Sequence, residues 1–123
     1  MTRSADWRRG YGPALAFAGL VLLASLVPVP DSTTAVPALF GVDLDKWVHA
    51  ASYALLTGLL AWGRRSREWV AVAALAVLAT GYGAAIELLQ TLVATRGLST
   101  ADVLANAVGA AVAAIAYIVA RSR

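Results

Sequence analysis

The chain has 123 residues, 60% of them hydrophobic and only 14% charged, with a mean hydropathy of +0.72. A soluble domain carries about 45–50% apolar and about 25% charged residues, so this much Leu, Val and Ala exceeds what a soluble core of this length buries. With no cysteine in the chain, disulfides, thiolate metal sites and cysteine nucleophiles are excluded, and the net charge of +3 comes from arginines beside apolar runs, a topology signal rather than a nucleic-acid surface.

Residues 11–29 form a charge-free run closed by Pro28 and Pro30. About 20 apolar residues cross a bilayer core of roughly 30 Å, so the run reads as a first span. It is longer than a signal-peptide core and lacks a small-x-small cleavage site, which favours a retained helix despite Arg3, Arg8 and Arg9 before it. Residues 31–44, rich in Pro, Thr and Asp, read as a loop with a short turn around 36–40. A second span is predicted over about 45–62, with Trp47 and Trp62 as interfacial anchors. After a tight basic turn at 63–68 the third span runs over about 69–93, long enough to tilt. Residues 95–100 form the last loop and about 101–120 the fourth span. No internal repeat, glycine-rich phosphate loop or low-complexity tract interrupts this order. The expectation is an all-α fold: one polytopic membrane domain over residues 1–123, a four-transmembrane-helix bundle.

Charge predicts its orientation. Arg3, Arg8, Arg9, Arg64, Arg65, Arg67, Arg121 and Arg123 lie at one end of the expected bundle, against Asp6 and Glu68. The other end holds Lys46 and Arg96 against Asp31, Asp43, Asp45, Glu87 and Asp102. The positive-inside rule then puts both termini in the cytoplasm and the second group toward the outer side of the membrane.

That second group contains the candidate functional residues. Polar side chains within a span are costly and face a bundle interior or a wet cavity, so they mark sites by default. Lys46, His49 and Tyr53 are spaced i, i+3, i+7 on one helical face. Lys46 can also snorkel to the interface and Tyr53 can be an ordinary membrane aromatic, whereas His49 lies one turn deeper. Asp45, in the first turn, suits the helix dipole. Glu87 and Gln90 are i, i+3, and a carboxylate at the depth of Glu87 must be paired, protonated or hydrated; a hydrogen bond locking two helices is the bland account of it. Ser99 and Asp102 fit a capping box, which leaves Asn106, one turn below Asp102, without such an account. Ala105, Gly109 and Ala113 form a small-residue seam suited to close helix packing.

Together Lys46, Arg96, an imidazole, carboxylates and amides suit an anionic head group at a lipid interface. Histidine beside a carboxylate also suits proton transfer near neutral pH. His49 with Glu87 and Asp102 could hold a cation, but no H-x-x-x-H or comparable paired-ligand spacing is present, so neither a metal nor another cofactor is expected, and no G-x-S-x-G nucleophile motif exists.

At these residues the sequence resembles the VanZ-like family of small bacterial membrane proteins. The resemblance runs from the Pro28/Pro30 exit to Gly109 and rests on Asp45-Lys46-x-x-His49-x-x-x-Tyr53, Glu87-x-x-Gln90, and Arg96-x-x-Ser99-x-x-Asp102-x-x-x-Asn106-x-x-Gly109. The family's characteristic polar positions fall on Lys46, His49, Glu87, Gln90, Arg96, Asp102 and Asn106. The chain resembles a minimal member, without the extra segments of some relatives. The family is named for a protein linked to teicoplanin resistance, so the resemblance implies a cell-envelope role and, as a phenotype, glycopeptide resistance; it implies no particular reaction.

The expectation is therefore an outward-facing pocket that binds a membrane lipid or lipid-linked anionic ligand through Lys46, Tyr53, Gln90, Arg96, Asp102 and Asn106. His49 and Glu87 would be the catalytic pair if the protein is an enzyme. A small transporter, or a structural protein whose polar groups only join helices, are the other classes. Nucleic acid is not an expected partner, and oligomeric state is not legible.

Overall fold

The computed structural model describes residues 3–26, 38–65, 68–93 and 99–121. Their backbone forms four helices, α1 (Arg3–Leu26), α2 (Leu44–Arg64), α3 (Trp69–Val93) and α4 (Thr100–Arg121). As helices, the last three have bounds within a few residues of those expected. α1 begins earlier than residue 11 and runs through Pro13, because hydropathy marks where a helix suits hydrocarbon, not where its hydrogen bonding starts. Residues 27–29, expected to finish that span, lie outside the described residues.

One element departs from an all-helical chain. Strands β1 (Ala38–Leu39) and β2 (Val42–Asp43) pair antiparallel just before α2. The turn between them is Phe40–Gly41, later than the turn expected around 36–40, with φ of 53° and 75°. A two-residue hairpin of the type I′ kind needs positive φ at both centres, which suits Gly41 and strains Phe40. Trp47 Nε1 donates to the Leu39 carbonyl at 3.0 Å, and the Phe40 and Trp47 rings meet edge-on at 6.5 Å. These contacts fix the hairpin onto the first turn of α2.

Side-chain distribution is inverted relative to a soluble protein. Large apolar residues point outward, among them Leu23, Leu55, Val77 (72% exposed), Leu92 (82%) and Ile115. Thr57, Glu87, Gln90, Asp102 and Asn106 are buried inside. Water rewards the opposite arrangement, and lipid rewards this one. α3 and α4 are long and apolar enough to cross a membrane, over Trp69–Leu92 and Thr100–Arg121, and Gly10–Leu26 is a shorter apolar stretch.

Interhelical contacts make successive helices antiparallel. Gly10 meets Gly63, and a Cβ on Gly10 would lie 2.8 Å from the Gly63 carbonyl oxygen, while at the far end of α1 the Ser25 carbonyl accepts from Gln90 Nε2 at 2.6 Å. Ala61, Val72 and Ala114 bring α2, α3 and α4 together near the arginine-rich end, and Tyr53, Leu56 and Ala79 form a second cluster nearer mid-bundle. The most extensive interface is between α2 and α4. Its close point is Gly109, where any Cβ would collide with the backbone carbonyl of Ala50. The small-residue seam thus serves packing within the chain, and it brings the first turns of α2 and α4 side by side.

Candidate functional site

At the end of the bundle opposite the Gly10–Gly63 crossing, α2 and α4 bring four titratable side chains into one group. Lys46 Nζ lies 2.7 Å from Asp45 Oδ2 and 2.6 Å from Asp102 Oδ1, bridging the two helices. Asp102 is buried, its side chain only 4% exposed, whereas the Lys46 and Asp45 side chains are 23% and 44% exposed. A carboxylate so buried requires a charged partner, and Lys46 supplies it.

His49, one turn along α2 from Asp45, places Nδ1 2.7 Å from the Asp45 carbonyl oxygen. A carbonyl only accepts, so Nδ1 carries the hydrogen and the neutral ring leaves Nε2 as a bare lone pair. That nitrogen faces Asp102 Oδ2 at 3.8 Å. With two carboxylates against one ammonium, the group keeps one unbalanced negative charge when the imidazole is neutral.

The capping-box reading of Asp102 is half right. Ser99 Oγ accepts from the Asp102 amide at 3.2 Å, as an N-cap does. The reciprocal bond is different: the Ser99 amide donates to Glu87 Oε2 at 3.4 Å. Glu87, from α3, thus takes the position that the Asp102 side chain fills in a self-contained box, and the Asp102 carboxylate turns to Lys46 and His49. Gln90 does the matching task on α1, since the Ser25 carbonyl it satisfies belongs to the last turn, where intrahelical donors run out. Glu87 and Gln90 therefore hold neighbouring helix ends. Among the described residues no hydrogen bond or ion pair joins Glu87 to His49; the carboxylate facing the imidazole is that of Asp102.

Tyr53 and Asn106 meet one level deeper, at Gly83. A Cβ on Gly83 would lie 2.6 Å from Asn106 Nδ2 and 2.8 Å from Tyr53 Cε1. The glycine lets α3 approach this pair, which puts α2, α3 and α4 in mutual contact. Asn106 Oδ1 and Thr57 Oγ1 are buried with no hydrogen-bond partner among the described residues; buried polar atoms nearly always have one. Arg96 lies outside the described residues.

A family model described as VanZ/LLP1 matches residues 10–121, nearly the whole chain. The chain belongs to the VanZ/LLP1 family. No curated protein and no solved structure matches it at significant similarity. In this VanZ/LLP1 chain the motif residues divide by position: Lys46, His49 and Asp102 meet across α2 and α4, Tyr53 and Asn106 meet below them, and Glu87 and Gln90 close helix ends.

Sequence reasoning missed three contributors. Asp45, assigned only to the helix dipole, is an ion-pair partner and holds His49 through its carbonyl. Thr57 extends the face of Lys46, His49 and Tyr53 by one more turn, and continuing that spacing would have found it. Tyr82 donates to the Ala18 carbonyl at 2.6 Å, a contact between distant helices that no local pattern announces.

Proposed function

We propose that this VanZ/LLP1 protein is a multi-pass protein of the bacterial plasma membrane whose four helices all span it. The arginine-rich end faces the cytoplasm, and the polar end binds the head group of a lipid or lipid-linked cell-envelope intermediate. The observation that carries this reading is the Asp45–Lys46–His49–Asp102 group, charged and partly exposed at one end of a bundle whose outer face is apolar. Arg64 and Arg65 at the end of α2 and Arg121 at the end of α4 lie at the opposite end, as the positive-inside rule requires of a cytoplasmic face. The outward leucines and valines of α1 and α2, not only of α3 and α4, support burial of all four in lipid. Glycopeptide resistance, the phenotype for which the family is named, fits a protein that engages an envelope intermediate from the outer leaflet.

The experiment is identification of co-purifying lipids by mass spectrometry for the native chain, His49→Ala and Glu87→Ala, with teicoplanin sensitivity measured in parallel. Selective loss of one lipid class in His49→Ala is the expected result. Unchanged lipid retention and unchanged antibiotic sensitivity in both variants would reject the head-group reading. A structural role is the second reading, favoured by the helix-end bonds of Glu87 and Gln90. It predicts that both substitutions lower stability and alter no ligand.

A further inference from the structure

We infer that Asp45, His49 and Asp102 form a binding site for one divalent metal ion of the Zn²⁺ or Mn²⁺ class. The inference starts from the imidazole. Its Nδ1 hydrogen is committed to the Asp45 carbonyl, so Nε2 is the nitrogen that faces a carboxylate oxygen of Asp102, across 3.8 Å. Two ligand atoms each about 2.0–2.2 Å from one ion lie about 3.4 Å apart at the tetrahedral angle and up to about 4.2 Å apart when the angle opens, and this separation falls in that range.

Asp45 completes the set. One ligand atom from each of Asp45, His49 and Asp102 can be chosen so that all lie within 4.8 Å of one another. Lys46 does not exhaust these carboxylates. It takes Oδ2 of Asp45 and Oδ1 of Asp102, which leaves each a second oxygen, and that of Asp102 is the one facing the imidazole. Lys46 then orients the two carboxylates as an outer partner does around a metal. One nitrogen and two carboxylate oxygens suit Zn²⁺ or Mn²⁺ and leave open positions for exogenous ligands.

The ion also removes a difficulty in the head-group reading, on which this last step rests. Lys46 is already paired with two carboxylates, and with a neutral imidazole the group's remaining negative charge repels a phosphate. A divalent ion reverses that sign and offers phosphate oxygens a direct ligand position.

The test is calorimetric titration of Zn²⁺ into the full chain in phosphatidylcholine nanodiscs, where no anionic lipid is present. Lipid retention from an anionic lipid extract is then measured with and without EDTA. One Zn²⁺ per chain is expected, weakened at least roughly tenfold in His49→Ala, since even an outer partner of a metal ligand is worth that much. Asp45→Asn, on the exposed first turn of α2, should weaken it as well and guards against a His49 variant that misfolds. No saturable zinc binding, or binding indifferent to both substitutions, would overturn the metal site. Zinc binding with lipid retention that ignores EDTA overturns the bridging role and leaves the head-group reading standing. Zinc binding with no selective lipid retention in any state overturns the head-group reading and leaves the metal site.

Discussion

The two ends of the α2 helix are held to their neighbours by opposite physics. At its arginine-rich end Gly63 meets Gly10 backbone to backbone, and Ala61 packs with Val72 and Ala114. At its other end Lys46 and His49 face Asp102 across the helix pair. Contacts between small residues are cheap in lipid: nothing charged is desolvated, and van der Waals packing does the rest. The charged end bears desolvation at a buried carboxylate and sets two carboxylates against one ammonium and an imidazole. A bundle needing only to hold together could be built like the first end throughout, so the second is where function should be sought.

Substitutions can break this contrast in a definite order. Gly109→Leu should act most strongly, because any side chain there strikes the Ala50 backbone and forces α2 from α4. A loss of about 3 kcal/mol, the upper end for overpacking, should appear in detergent-unfolding curves, with zinc and lipid binding lost together. Asp102→Ala comes next, at about 2–3 kcal/mol. That is below the full cost of breaking a buried pair because Lys46 is 23% exposed and keeps Asp45. The double change Lys46→Met with Asp102→Leu should recover that stability, as hydrophobic replacements of ion pairs often do, without recovering binding. If binding returned with stability, the charges would be mere fasteners.

Gly63→Val should cost about 1–2 kcal/mol by crowding Gly10, yet leave zinc affinity unchanged; a fall in affinity would mean the two ends are coupled. Ser99→Ala is the mildest. It removes the cap on the Asp102 amide for about 1 kcal/mol and should shift the unfolding midpoint alone.

Hydropathy made the helices legible, since lipid-compatible runs of this length leave few alternatives. The motif residues on α2 and α4 were legible as a set because 3.6-residue periodicity puts them on facing stripes. Their pairing was not. Which carboxylate meets His49 depends on the α2–α4 crossing at Gly109, and a stripe pattern is equally compatible with Glu87 from α3. The capping box at Ser99 misled for a related reason: local spacing cannot reveal that Glu87, from another helix, takes the reciprocal bond. The proposed cation group was legible only in part, since the sequence pairs His49 and Asp102 with Glu87, whereas the α2–α4 crossing sets Asp45 beside them. The hairpin hid in a segment whose composition signalled only irregular chain, since its strands are two residues long.

That hairpin has a mechanical consequence. Its tip, Phe40, is 88% exposed, and its Leu39 carbonyl is tied to Trp47, a residue flanked on α2 by Lys46 and, two positions on, His49. Through that one indole the exposed tip is anchored to the turn of α2 that carries the ammonium and the imidazole.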